Sequence, residues 1–311
     1  MDNPVGYTNT AESTQEASKE AARSATWRDF VSLAKPGILF SNSITTFGGF
    51  WIASQWNIHW PTMIWVLIGT ILVMASGCVL NNYLDRDLDI KMERTKNRAL
   101  PSGVLQPPTV MVYGIVLGVA GLTVLGLLVN VLAALLGLFG LFGYVWIYTA
   151  LLKRSSVWNT TVGAVFGAVP PVIGYVAVAG TLDTTALILF AILFFWQPPH
   201  FWALGIRRID DYRNAGYQML PVVKGTYQTK LSMMRYIVPL VPTSMLLYFT
   251  NNTGTLYLLT ASILGLIWIW KGVQGFKAKD ETLWAKKMFV FSINYLTILF
   301  IVMIIDTVST K

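Results

Sequence analysis

Nine predominantly apolar runs, each close to the length that spans a bilayer, recur along this chain. They fall at about 36–56, 61–84, 109–129, 131–152, 158–179, 184–206, 233–250, 255–274 and 287–308. A helix rises about 1.5 Å per residue, so roughly 20 apolar residues cross a hydrocarbon core about 30 Å thick. The expected fold is therefore an all-α polytopic membrane protein of about nine transmembrane helices. Composition agrees, because 54% hydrophobic against 12% charged residues excludes an ordinary soluble domain. Residues 1–34 are polar and lack the apolar stretch of a signal peptide, so they read as a flexible cytoplasmic tail. Residues 35–311 read as a single intramembrane domain.

Charge supplies the orientation. Except for Lys311, every Lys and Arg lies in the amino-terminal tail or in the connections 85–108, 153–154, 207–235 and 271–287. With nine spans these segments share one side. The alternate connections, at about 57–60, 130, 180–183 and 251–254, carry no base. The positive-inside rule then places the amino terminus and all basic loops in the cytoplasm. The net charge of +8 is thus a topology signature, and no basic patch on a separate soluble domain points to nucleic acid. The single cysteine, Cys78, excludes an intramolecular disulfide and a cysteine metal cluster.

Against the end of the second run stands "NNYLDRDLDIKMERTKNR", residues 81–98. Asn81, Asp85 and Asp89 are spaced i, i+4, i+8, with Asn82 three before Asp85. If the helix continues to residue 89, these four share one face and Asp87 points elsewhere. Carboxylates one turn apart beside carboxamide oxygens suit Mg²⁺, which commonly bridges one or two carboxylates to a substrate phosphate. Lys91, Arg94, Lys96 and Arg98 follow and offer phosphate a point charge or a bidentate fork. The same spacing also describes a solvated juxtamembrane segment with surface ion pairs.

A second polar segment, "WQPPHFWALGIRRIDDYRNAGYQMLPVVKG", occupies residues 196–225. Asp210 and Asp211 sit among Arg207, Arg208 and Arg213. Pro198 and Pro199 interrupt the helix within the apolar run, where irregular backbone is tolerated mainly if it lines a cavity. His200 follows, readable as a functional ionisable group or as a hydrogen-bonded packing residue. His59, in a short outer connection, reads as interfacial. The run "VGAVFGAVPPVIGYVAVAG", residues 162–180, permits close helix packing, with a kink at Pro170 and Pro171.

"NNYLDRDLD" resembles the first acidic motif of the intramembrane prenyltransferase superfamily, which binds Mg²⁺ and an allylic diphosphate. With "LLKRSSVWNT", "GAVPPVIGY" and the segment 196–225, the chain from about residue 30 onward is similar to one branch, the haem O synthases. The resemblance implies helices around a central chamber that opens to the cytoplasmic side of the cell membrane, most simply a bacterial plasma membrane. It assigns metal binding to Asn82, Asp85 and Asp89, and catalytic roles to Asp85, Asp89 and Asp211. Diphosphate binding falls to Lys91, Arg94, Arg98, Lys153 and Asn159, and haem binding to His200 and Arg208. Asn81 and Asp210 are further candidates.

The implied cofactor is Mg²⁺, and the implied substrates are farnesyl diphosphate and haem B. Farnesyl transfer to a vinyl group of protohaem IX, followed by water capture, gives haem O. A downstream haem-modifying enzyme or terminal oxidase is the implied taker of product. Four positions depart from the family pattern. Asn82 stands where many members have Asp, and Gln218 stands where Pro is expected. The second motif has Asn214 and Ala215 four residues after Asp210 and Asp211, which leaves two readings for these acids: a second carboxylate-bridged metal, or the positioning of a base or of one metal through water. The rival readings are a quinone-type prenyltransferase, which shares the first motif, and a haem carrier or transporter without chemistry.

Overall fold

The computed structural model describes residues 24–309. Their elements are α1 (Trp27–Leu33), α2 (Pro36–Ser54), α3 (Trp60–Asp89), α4 (Pro107–Leu128), α5 (Val131–Ser155) and α6 (Asn159–Ala179). These are followed by α7 (Thr184–Arg207), α8 (Ile209–Asn214), α9 (Leu220–Phe249), α10 (Thr255–Lys277) and α11 (Glu281–Ile305). Among the described residues there is no sheet; one isolated bridge pairs Thr253 with Thr307.

Local chemistry sets many of the ends. Pro at the first or second helical position starts α2, α3, α4 and α9, where a missing N–H costs nothing. Asn130, Asp183 and Asp280 cap α5, α7 and α11 by accepting from the backbone N–H of Ala133, Ala186 and Leu283. His59, the expected interfacial histidine, caps α3 by accepting from Thr62 N–H.

Seven helices are long and apolar enough to cross a membrane: α3, α4, α5, α6, α7, α10 and α11. The other two expected crossings are helical as well, in α2 and α9. Both are more polar than these seven, and α9 is kinked at Gly225, whose φ is 78°. Helices α6 and α7 are central, with 61% of their apolar stretch buried, against 28% in α4 and 22% in α5. Each long helix packs on its successor, and α11 returns against α2 to close the bundle.

The main core joins α2, α6, α7, α9 and α11 through residues such as Phe50, Ile173, Leu189, Ile237 and Leu299. Gly49 and Gly174 permit the tightest approach. A Cβ on Gly49 would meet the Pro171 carbonyl, and one on Gly174 would meet that of Thr46.

The polar-tail expectation needs correction at its end. Residues 27–33 form α1, fixed by a capping box between Thr26 and Asp29. Phe30 stacks edge-on against Tyr113 at 5.3 Å, and Leu33 is buried against Val79 and Val110. Two apolar residues three apart are enough to dock one helical turn. The remainder of the tail, residues 1–23, lies outside the described residues.

Candidate active site

Helix α3 does continue to Asp89, so Asn81, Asn82, Asp85 and Asp89 lie within its last turns, and all four are buried. Burying carboxylates and amides at a helix end is costly unless each is paired. The pairing here is dense.

Lys153, near the end of α5, forms a hydrogen-bonded ion pair with Asp85 Oδ2. Asn81 Nδ2 donates to the same carboxylate oxygen at 2.8 Å and to Thr149 Oγ1 at 3.2 Å. Asn81 Oδ1 accepts from Lys35 Nζ at 2.7 Å. Arg98 donates to Asp89 Oδ2 at 2.8 Å and to Asn82 Oδ1 at 3.2 Å. Asn82 Nδ2 is held by the Leu33 and Cys78 carbonyls, which aims its oxygen at the arginine. The loop after α3 turns back because Thr95 Oγ1 donates to the Asp89 carbonyl at 2.7 Å, bringing Arg98 onto the helix face it has just left.

Among the described residues, Asp85 Oδ1 is buried and accepts no hydrogen bond. A buried carboxylate oxygen left open is a strong acceptor awaiting a cation. Tyr217 lies close by, 1% exposed; its buried hydroxyl makes no close hydrogen bond among the described residues but is near enough to the Asp85 carboxylate to feel it. Burial pushes the Tyr217 hydroxyl well above the ordinary tyrosine range, so it stays protonated. Lys153 Nζ lies 4.9 Å from the Tyr217 ring and 6.0 Å from that of Tyr148. Residues 143–152 of α5 are wound as a π-helix, whose wider turn carries Tyr144, Tyr148 and Thr149.

The set fits a magnesium ion. Its available donors are oxygens on Asp85, Asp89 and Asn82, and Asp85 presents a buried open one. Among the described residues no three His, Cys, Asp or Glu side chains converge as a cage.

The second segment lies over this cluster. Met92, Tyr212, Ala215, Tyr217 and Met219 form a small core joining the loops after α3 and α7. Arg94 donates to the Tyr212 hydroxyl at 3.3 Å and lies 5.5 Å from its ring. Asn159 Nδ2 donates to the Gln218 carbonyl at 3.0 Å, so this fully buried amide pins the loop. Asp211 sits 3.9 Å from Arg208, while Asp210 faces solvent and pairs with Arg213 at 2.6 Å. Lys91 is exposed and forms no ion pair among the described residues.

His200 stands apart from these charges. Its ring is stacked between Trp196 and Phe289, with centroids 4.5 and 4.6 Å away, and Nδ1 is 2.7 Å from Ser292 Oγ. Three residues earlier on α7, Gln197 is buried and its carboxamide lies against Gly167 without a hydrogen bond among the described residues.

Sequence reasoning counted Lys35 only as a tail charge and did not single out Thr149, Tyr148 or Tyr217. Lys35 immediately precedes Pro36 and has a left-handed backbone, φ 55°, which turns it under α3. Burial lowers its pKa to about 8. The neighbouring Lys153 and Arg98 add to that fall, against the opposing effect of Cys78 and Asp85. A base directly before an apolar run was the visible signal; its contact with Asn81, 46 residues on, was not.

Comparison with known proteins adds three findings. The model of the UbiA prenyltransferase family matches residues 42–295. Protoheme IX farnesyltransferase 1 of Bacillus subtilis (strain 168) is 50% identical over 298 residues, 93% of each chain. The Alkalihalophilus pseudofirmus protein named protoheme IX farnesyltransferase is 46% identical over 97% of each. Among solved structures, digeranylgeranylglyceryl phosphate synthase superposes with a TM-score of 0.76 at 20% identity, over 90% of this chain and 97% of that one. A UbiA homolog from Archaeoglobus fulgidus bound to DMAPP and Mg²⁺ gives 0.65 at 14%, over 88% and 99%. At these identities the two structures establish the fold alone.

Proposed function

The chain belongs to the UbiA prenyltransferase family, and from that premise we propose the reaction and the residues that carry it. It is a prenyltransferase that moves a farnesyl group from farnesyl diphosphate to a vinyl group of protohaem IX, giving haem O. The observation that carries this assignment is the 50% identity, over nearly the whole of both chains, to the Bacillus subtilis protoheme IX farnesyltransferase.

The carboxylate face of α3 is the ionisation site. Asp85 and Asp89, with the Asn82 oxygen, would hold a magnesium ion, which when bound would supply electrostatic stabilisation of the charge developing on the diphosphate. Lys153, Arg98 and Lys35 then turn from their side-chain partners toward the leaving group. Arg94 is a further phosphate ligand at the loop edge. Lys91 serves only as a long-range positive charge. Asn159 acts indirectly, by pinning the loop that carries Tyr217. Asp211 orients Arg208 near the site mouth, and Asp210 has no direct part.

Breaking the C–O bond leaves an allylic cation. Its C1 is attacked by the terminal vinyl carbon, and the new C–C bond moves the positive charge to the carbon next to the porphyrin ring. Water adds there and loses a proton. Tyr217 and Tyr148 shield the ionising end from bulk water. His200 and Arg208 position the haem, the first through the edge of its ring away from Ser292 and the second toward a propionate. Helices α2 and α9 are the two further crossings, giving nine, with the charged loops and amino terminus in the cytoplasm.

The test is to incubate membranes expressing the chain with haem B, farnesyl diphosphate and Mg²⁺, and to analyse haems by liquid chromatography with mass spectrometry. A haem heavier by one farnesyl group plus one hydroxyl group is the expected product. Prenylation of an aromatic acceptor with no change in haem would replace this reading by the quinone-type one.

A further inference from the structure

A groove of about 440 Å³ opens between α10 and α11, away from the catalytic cluster but at the same end of the bundle. Lys271, Lys286 and Lys287 give it a charged rim, and Leu283, Val290, Phe291 and Asn294 complete its lining. Lys271 Nζ is 5.4 Å from the Phe291 ring centroid, which draws the ammonium over the groove.

None of the three lysines has a carboxylate partner among the described residues. The two acids beside them are already engaged. Asp280 accepts from Leu283 N–H at 2.9 Å, and Glu281 is paired with the buried Lys230 at 2.6 Å. Three like charges therefore converge on one groove without compensation. The positive-inside rule accounts for lysines on this side of the membrane, but not for their gathering around one apolar floor. Further along the same two helices, away from their charged ends, Leu266 and Ile293 are exposed on surface that faces hydrocarbon.

A free inorganic anion would use the lysines and leave the apolar floor wet. A protein partner would have to reach a surface whose lower half lies in lipid. A phospholipid with an anionic headgroup satisfies both halves, its phosphate meeting the ammonium groups and an acyl chain covering the floor. We propose that the α10–α11 groove is a binding site for an anionic phospholipid of the phosphatidylglycerol class, with an acyl chain lying along Val290 and Phe291.

The experiment uses the full-length protein purified in neutral detergent, with lipid adducts counted by native mass spectrometry and melting followed after addition of phosphatidylglycerol, phosphatidylcholine or inorganic phosphate. Phosphatidylglycerol is expected to raise the melting temperature and remain as a one-lipid adduct. K271Q/K286Q/K287Q is expected to bind it at least tenfold more weakly. K224Q, altering an exposed lysine elsewhere on the same side, should retain it. If the triple variant fails to fold, K286Q/K287Q changes only the two exposed rim residues and should still weaken binding. Equal retention by these variants, an equal shift with phosphatidylcholine, or saturation of the effect by phosphate would each overturn the proposal.

Discussion

Lys153 on α5 is bonded to the carboxylate of Asp85 on α3, 68 residues away in sequence. This pair is what makes the end of α3 a site. It tethers the two helices at their charged ends and occupies one oxygen of Asp85 while the other stays open. A buried ion pair of this kind contributes little net stability, because desolvation offsets the attraction. On the proposed reading, its value lies in holding a metal ligand and a phosphate ligand next to each other before substrate arrives.

Replacing Asp85 tests the metal half of that arrangement. Asp85→Asn keeps the shape and removes the charge, so haem O formation should fall by roughly 10²-fold or more. Excess Mg²⁺ should restore little of it, as a rate measured against metal concentration would show. A variant that recovers fully at high Mg²⁺ would leave Asp85 as a minor ligand.

Arg98 tests the other half. It bridges Asp89 and Asn82 in the resting structure and is expected to swing to diphosphate. Arg98→Lys keeps the charge but loses the fork, so KM for farnesyl diphosphate should rise about tenfold with a smaller change in kcat. Steady-state kinetics with haem B saturating would separate the two.

Lys35 gives a pH signature. Its pKa of about 8 lies below the ordinary 10.5 because burial disfavours the charge. The unfolded chain therefore holds the extra proton between about 8 and 10.5, and this group's contribution to stability rises with pH across that window. Binding has the opposite sign, because only the charged form attracts diphosphate. Affinity for inorganic pyrophosphate should fall by up to about tenfold between pH 7 and 9. In Lys35→Arg, whose charge persists, the fall should be largely absent. Isothermal calorimetry at the two pH values would read it.

His200 separates haem from prenyl binding. His200→Phe preserves an aromatic ring between Trp196 and Phe289 but cannot bond Ser292. If the histidine positions haem, KM for haem B should rise severalfold while KM for farnesyl diphosphate and the melting temperature hold. A change in melting temperature alone would make it a packing residue.

Much of this was legible in the sequence for physical reasons. Apolar run length fixes where helices cross, and the spacing of Asn81, Asp85 and Asp89 fixes a common face once α3 is long enough. The bases that meet those acids were less legible. Arg98 follows closely in sequence, but Lys153 and Lys35 reach the site only through packing of α5 and α2 against α3. Asn159 was expected as a diphosphate ligand; its amide donates to the Gln218 carbonyl, a partner 59 residues away that no local pattern announces.

The packing has its own test. Gly174→Ala would place a methyl group on the Thr46 carbonyl, with backbone on both sides and little room to relax. Overpacking of this kind costs about 1–3 kcal/mol. A melting temperature lowered by several degrees in detergent is the expected result.

The most direct measurement is the binding of farnesyl thiodiphosphate, a slowly ionising analogue, to the purified protein across a Mg²⁺ titration, with wild type and Asp85→Asn in parallel. The predicted result is tight binding that appears with Mg²⁺, vanishes with chelator and is weakened at least tenfold in the variant. Equal, metal-independent binding by both proteins would contradict the assignment of the α3 carboxylate face as the metal-diphosphate site.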